Sequence, residues 1–137
     1  MKHSIKTQSP GSRGVTLLEM TVVILLILSL IGIGTFSAAK IGEWKLGRKA
    51  GEELRAVHAA QRLFLADNPT TPVSSITADD LLPYMQGNPS ALPTVESLDG
   101  TTLTIKVDVN PPVVDAGGGA AYDPSGSSSD SLWDIGK

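Results

Sequence analysis

The sequence contains no cysteine and few aromatic residues, and both absences limit what can hold the chain together. Without cysteine there is neither a disulfide framework nor a thiolate metal site. Phenylalanine, tryptophan and tyrosine make up only 4% of the 137 residues, and much of the other apolar content falls in one stretch near the N-terminus. The remainder of the chain must therefore fold around a thin core.

Acidic residues are missing from the first 14 positions, which carry Lys2, Lys6 and Arg13. The formal net charge of -3 hides this asymmetry, because eight basic and fourteen acidic residues follow Gly14. The body of the chain is thus acidic. This balance argues against a nucleic-acid-binding role that rests on overall charge.

Charge is also missing from Met20 to Ala39, a run of twenty predominantly apolar residues. At a rise of about 1.5 Å per residue, a helix of this length crosses a hydrocarbon layer of about 30 Å. The run therefore predicts a membrane-spanning helix. The preceding residues 1–14 are polar and basic, contain Pro10 and Gly11, and are typical of an unstructured leader.

The helical pattern continues past the apolar run, since no proline lies between Lys40 and Ala66. Residues with three- and four-residue spacing form one largely apolar stripe: Ala50, Leu54, Val57, Gln61 and Phe64. The pattern predicts one helix from Val15 to Ala66 with a face available for packing. Pro69 ends it, because proline disfavours helical geometry in the residue before it and lacks a backbone donor.

Short elements are predicted after Pro69. Thr77 and Asp80 have the spacing of a capping box and predict a helix over residues 78–85. Because Pro83 lies within this range and proline disrupts helices, the sequence does not fix where the helix ends. Residues 102–109 alternate between apolar and polar side chains and predict a half-buried strand. The Asp99–Gly100 pair before them predicts a hairpin turn, with a partner strand within residues 94–98.

The N-terminal motif is the most specific feature of the sequence. A basic leader ends in Gly14, Val15-Thr16-Leu17-Leu18-Glu19 follows, and an uninterrupted apolar helix comes next. This arrangement resembles the class III signal peptide of type IV prepilins and type II secretion pseudopilins. The resemblance implies that prepilin peptidase cuts between Gly14 and Val15 and methylates the new amine of Val15. It also implies that Glu19 pairs with the N-terminal amine of an adjacent subunit during filament assembly.

The same resemblance implies an α+β, pilin-like fold in which a long N-terminal helix packs on a small antiparallel β-sheet. Residues 1–14 would be the cleaved leader, 15–39 the transmembrane and assembly helix, and 40–137 a periplasmic globular domain that includes the rest of the helix. The expected location is the bacterial inner membrane, with a single pass, and then a filament. Charge counting alone gives the opposite topology, because basic residues also follow the span.

The resemblance further implies a set of partners: prepilin peptidase, copies of the same chain, other minor pilins or pseudopilins, the inner-membrane assembly platform and membrane lipid. Nucleic acid is expected only if the chain is a DNA-uptake pilin. The absence of the paired cysteines found in many pilus-forming pilins favours a pseudopilin. Secretion pseudopilin and pilus subunit both remain open, as do major and minor subunit.

The C-terminal tail is rich in glycine, serine and aspartate, and it offers oxygen ligands for calcium. Four carboxylates are candidates: Asp115, Asp123, Asp130 and Asp134. Major pseudopilins have a calcium-binding C-terminal loop, so the resemblance implies that these carboxylates bind calcium. The spacing matches no EF-hand, and a solvated acidic tail is the alternative interpretation.

A second class of function is a secreted or singly anchored binding protein, in which residues 1–39 act as an ordinary signal sequence cleaved near Ala39. Glu19 within the apolar region and a helix that continues through Lys40 count against it. Enzymatic activity is not expected. His58 has no second histidine, cysteine or carboxylate at catalytic spacing, and the serines lie in no nucleophile motif.

Overall fold

The computed structural model describes Gly14 and residues 16–136 of the chain. The first helix, α1, runs over Leu17–Asp67, so its predicted end is confirmed to within one residue. The predicted start at Val15 lies outside the described residues. The chain divides between Ala38 and Ala39 into two compact units, which are described separately below.

The N-terminal part of α1 carries exposed apolar side chains throughout, including Leu17, Ile24 and Phe36. No tertiary packing covers them within the part of the chain that the structure describes. This helix is long and apolar enough to cross a membrane, as the uncharged run predicted.

The second unit is built against one face of the remaining part of α1. The predicted stripe is confirmed, because Ala50, Leu54, Val57 and Gln61 are all buried. Phe64, the last member of the stripe, is half-buried, and its ring meets that of Tyr84 edge to face at 5.8 Å. This face therefore forms one wall of the core.

Gln61 joins the helix to the chain that crosses it. Its side-chain Nε2 donates hydrogen bonds to the carbonyl oxygens of Val107 and Val109, both at 2.8 Å. Buried polar groups normally need such partners, since an unpaired one costs about 1 to 3 kcal/mol. The amide thus fixes the position of this segment along α1.

A 3-10 turn at Val73–Ser75 leads to the short helix α2 at Ala78–Leu81. The predicted capping box is confirmed: the Thr77 amide donates to Asp80 Oδ2 at 2.9 Å, and the Thr77 side chain accepts from the amide three residues on. The Thr77 hydroxyl also donates to Asp80 Oδ2, at 2.6 Å, and the hydrogen bonds from this hydroxyl and from the Thr77 amide lower the pKa of Asp80. The α-helix is shorter than predicted, because a 3-10 turn at Leu82–Tyr84 containing Pro83 replaces its second half.

Four two-residue strands follow in two antiparallel pairs. Strand β1, Val95–Glu96, pairs with β2, Thr102–Leu103, and β3, Ile105–Lys106, pairs with β4, Val113–Val114. The α+β class and the partner strand near 94–98 are confirmed. The single strand predicted over residues 102–109 is wrong, because the chain changes partner at Thr104. The predicted alternation of buried and exposed side chains is still present, because Ile105 and Val107 are buried. Such alternation indicates an extended backbone with one covered face, but it does not indicate which strand is the hydrogen-bonding partner.

The predicted hairpin turn is also confirmed between β1 and β2. Gly100 has φ of 83°, which favours glycine, and the Asp99 carboxylate accepts hydrogen bonds from Ser97 and Thr101. These bonds stabilise the ionised carboxylate and lower the pKa of Asp99 to about 2.

The C-terminal segment lies directly on α1 where two glycines remove side-chain bulk. A Cβ added at Gly47 would come within 2.7 Å of Trp133 Nε1, and one at Gly51 within 2.5 Å of the Ser131 carbonyl oxygen. The Trp133 amide donates to the Gly47 carbonyl oxygen at 3.0 Å. Trp133 is buried and belongs to the core.

We expect Gly51→Ala to lower the free energy of unfolding by about 1 to 3 kcal/mol, because the methyl group would meet backbone atoms that cannot rotate away. Gly42→Ala is the matched control, since the space around Gly42 is open. There, replacing a helical glycine should stabilise by about 0.5 to 1 kcal/mol. Thermal unfolding of the full-length protein in detergent measures both. A melting temperature for Gly51→Ala at or above that of Gly42→Ala would contradict the close approach.

Candidate functional site

The first candidate region is the start of α1, where Thr16 and Glu19 hydrogen-bond to each other. The Thr16 amide donates to Glu19 Oε2 at 2.9 Å, and the Glu19 amide donates to Thr16 Oγ1 at 3.2 Å. The hydroxyl of Thr16 also lies 3.3 Å from Glu19 Oε2. This is a capping box, and it satisfies backbone donors that the first turn of a helix leaves free.

The capping box gives Glu19 a local partner immediately before the apolar run. A carboxylate there also lies near the positive end of the helix dipole, where negative charge is favoured. The role of Thr16 was missed in the sequence, although Thr16-Leu17-Leu18-Glu19 matches the threonine-x-x-glutamate pattern of a capping box.

The predicted cleavage position adjoins this turn. Gly14 is exposed, and a Cβ added to it would meet no atom within 4 Å. Val15, the predicted site of methylation, lies outside the described residues. The Gly14 backbone is therefore open to an approaching protein on the side that a side chain would occupy.

The second candidate region is the acidic tail, in which the four candidate aspartates fall into different surroundings. Asp123 Oδ1 accepts hydrogen bonds from the amide of Ser125 at 3.1 Å and from its hydroxyl at 2.6 Å. The same hydroxyl lies 3.4 Å from Asp130 Oδ1. Ser125 therefore brings the carboxylates of Asp123 and Asp130 towards one point.

Asp134 has one satisfied and one unsatisfied oxygen. Its Oδ1 accepts hydrogen bonds from the amides of Ser131, at 3.1 Å, and Gly136. Its Oδ2 is buried and has no hydrogen-bond partner among the described residues. A buried carboxylate oxygen without a partner is costly, so this atom favours a cation or water beside it.

Asp123 and Asp134 line the same cavity, which has a volume of about 170 Å³ and also includes Ser128. Asp115 does not line it. That side chain borders a separate open groove with Asp108, and its Oδ1 accepts from the Gly117 amide at 2.9 Å. Among residues 14 and 16–136, no three His, Cys, Asp or Glu side chains are grouped closely enough to form a metal site by themselves.

Two further side chains of α1 lie outside both regions: His58, considered in the sequence analysis, and Trp44. His58 is half-buried. Trp44 is half-exposed, and the Arg48 guanidinium lies over its ring at 5.5 Å from the centroid. This geometry is a cation–π contact, worth about 0.5 to 1 kcal/mol at an exposed position.

No protein-family model, curated protein or solved structure matches this chain. We therefore infer function from the N-terminal motif and from the geometry of these two regions.

We expect Thr16→Ala to speed hydrogen exchange at the Glu19 amide by about fivefold, because losing an N-terminal cap costs about 1 kcal/mol. Thr16→Ser keeps the hydroxyl and should exchange like the unmodified protein. Hydrogen exchange on the full-length chain in detergent micelles, read by NMR, measures both variants. Equal rates for Thr16→Ala and Thr16→Ser would contradict the role of the hydroxyl.

Proposed function

We propose that this chain is a structural subunit of a filament, either a type II secretion pseudopilus or a related type IV pilus, and that prepilin peptidase processes it. The proposed role is mechanical and not enzymatic. The observation that carries the proposal is the placement of one carboxylate, Glu19, at the start of a long apolar helix, five residues after Gly14.

A carboxylate in this position needs a physical reason. An acidic residue at mid-bilayer costs on the order of 3 kcal/mol, and less near the interface. The hydrogen bonds from Thr16 lower this cost in the single chain, but they leave the negative charge in place. A positive charge on a neighbouring chain would neutralise it within a bundle of apolar helices.

The new amine of Val15 supplies such a charge if the chain is cut after Gly14. Each copy then carries one amine and one carboxylate near the same end of its helix. Pairing between neighbouring copies holds them in a fixed stagger, while the exposed apolar side chains of α1 pack together. Assembly through this pairing and packing would explain both why Glu19 is present and why the apolar side chains of α1 are uncovered.

We also propose where the chain is located and which partners it meets. Before assembly the chain is a single-pass protein of the bacterial inner membrane, with residues 40–137 in the periplasm. It meets prepilin peptidase, the assembly platform, membrane lipid and other pilins or pseudopilins, and then enters the filament. The cleavage motif requires the leader in the cytoplasm, and it outweighs the basic residues that follow the span.

Processing is the first test. We expect the mature protein to begin at Val15 with a methylated amine, and we expect Gly14→Leu to remain uncut, because the peptidase must reach the adjacent backbone. N-terminal sequencing and mass spectrometry of the protein from its native host measure both. A mature chain that starts near residue 40 would support the anchored or secreted binding protein instead.

Assembly is the second test, and three variants separate capping from charge. Glu19→Gln keeps an acceptor for the Thr16 amide but removes the charge, Glu19→Ala removes both, and Thr16→Ala keeps the charge. We expect all three to be processed. Both Glu19 variants should lose co-assembly with the unmodified chain by a hundredfold or more, because an unpaired buried amine costs about 3 to 5 kcal/mol.

Thr16→Ala should retain co-assembly in this experiment, which is read by crosslinking between the helices of unmodified and variant chains. Normal assembly of Glu19→Gln would show that the charge is dispensable, and the proposed pairing would fail. If Thr16→Ala alone lost assembly, the capping box between Thr16 and Glu19, and not the charge of Glu19, would be what assembly requires.

We also propose that the C-terminal tail binds calcium through Asp123 and Asp134, while Asp130 is linked to Asp123 only through the Ser125 hydroxyl. The unpartnered and buried Oδ2 of Asp134 supports this, as does the cavity that it shares with Asp123 and Ser128. Backbone carbonyl oxygens of the tail would complete the six to eight ligands that calcium takes. Asp115, a member of the set expected from the sequence, lines a different groove and has no part in this site.

We expect the full-length protein in detergent to melt several degrees higher in millimolar calcium than in chelator, because a ligand that binds only the folded state stabilises it. Asp134→Asn should lose this increase. Asp115→Asn is the matched control, and it should keep the increase because Asp115 lies outside the cavity. Identical melting curves for the unmodified protein would instead support a solvated acidic tail.

A further inference from the structure

A cavity of about 260 Å³ opens in the second unit beside the first turns of α1 that follow the apolar run. Lys40, Glu43 and Trp44 line it from the helix, and Leu98, Pro124 and Leu132 line it from the loops. We call it the Trp44 cavity. Trp44 is 50% exposed and Leu98 is 43% exposed, so an accessible apolar surface remains at its mouth.

The helix beside the Trp44 cavity is basic. Residues 40–49 contain four basic side chains and one acidic side chain. Lys40, Trp44 and Arg48 are four residues apart and therefore share one face of α1. The Arg48 guanidinium lies over the Trp44 ring, so an apolar wall and two cations occur along the same stripe.

The place of Lys40 in the sequence suggests what this surface meets. Lys40 directly follows the uncharged run that ends at Ala39. A helix that crosses a bilayer with this run reaches the headgroup layer at Lys40 and Trp44. Basic residues and tryptophan are the side chains that favour that layer, and basic residues attract anionic lipid.

We propose that the Trp44 cavity binds one anionic phospholipid. Lys40 contacts its negative headgroup from the cavity wall, and Trp44 and Leu98 cover its glycerol and the first part of its acyl chains. Arg48 lies outside the cavity, over the Trp44 ring, and adds positive charge at its mouth. Glu43 and Glu52 do not prevent this, because their ion pairs with Lys40, at 2.8 Å, and with Arg48, at 3.6 Å, join exposed side chains. Exposed pairs contribute little stability and are readily exchanged for another partner.

A neighbouring copy of the chain is the alternative occupant. Its apolar helix would fill the cavity but would offer no negative group to Lys40 and Arg48 along the uncharged run. Charge complementarity therefore favours lipid. The inference requires that residues 20–39 cross a membrane, but it does not require filament assembly, so failure of the assembly proposal leaves it standing.

Tryptophan quenching in nanodiscs tests the proposal with the full-length chain. The discs contain phosphatidylcholine with the same fraction of either brominated phosphatidylglycerol or brominated phosphatidylcholine. Subtracting the signal of Trp44→Phe isolates Trp44 from Trp133. We expect brominated phosphatidylglycerol to quench Trp44 at a lower mole fraction than brominated phosphatidylcholine does.

Three variants locate the effect. Lys40→Gln and Arg48→Gln should each reduce the preference for phosphatidylglycerol by about fivefold, because a basic residue near an anionic surface contributes about that factor. Arg62→Gln is the matched control, since Arg62 is an exposed residue on α1 that neither lines the cavity nor lies over the Trp44 ring. It should leave the preference unchanged.

Each other outcome overturns the proposal. Equal quenching by the two lipids would show that the cavity does not select negative charge. An equal effect of Arg62→Gln would assign the preference to the overall charge of the helix. No quenching by either lipid, together with crosslinking between copies through position 44, would show that a second chain covers the surface.

Discussion

The second unit depends on one face of α1, because the other elements are too short to form a core among themselves. Its strands have two residues each, and α2 has four. The face changes along the helix. Gly47 makes room for the Trp133 side chain, and Gly51 makes room for the backbone at Ser131. Leu54 and Val57 are buried apolar side chains, and Gln61 donates hydrogen bonds to Val107 and Val109. The size of the side chain at each position of this face thus decides which segment of the second unit packs against that part of α1.

The side-chain composition of α1 changes at Lys40. Before Lys40 the side chains are apolar on all faces and uncovered, which suits lipid or other helices. After it, apolar residues occupy one face and charged residues occupy the others. The proposed filament role uses this division, since the first half serves for anchoring and assembly and the second half carries the folded body.

Trp133 links the two cavities of the second unit. Its ring packs on Gly47, meets Tyr122 edge to face at 5.0 Å, and lines both the cavity of Asp123 and Asp134 and the Trp44 cavity. A cation that orders the tail would therefore also order one wall of the proposed lipid site. Leu132 and Ile135 are only partly buried against the core, so Trp133 is the most deeply buried apolar side chain of this last segment.

The sequence by itself determined the features that depend on local chemistry. The uncharged run, the stripe of α1, the capping box at Thr77 and the turn at Asp99–Gly100 all follow from spacing and backbone preference, and the structure confirms them. Only the tertiary structure decided which strand pairs with which, that Asp115 lies apart from Asp123 and Asp134, and that Gly51 receives the C-terminal backbone. These features join residues far apart in the chain, and no local preference specifies a partner at that distance.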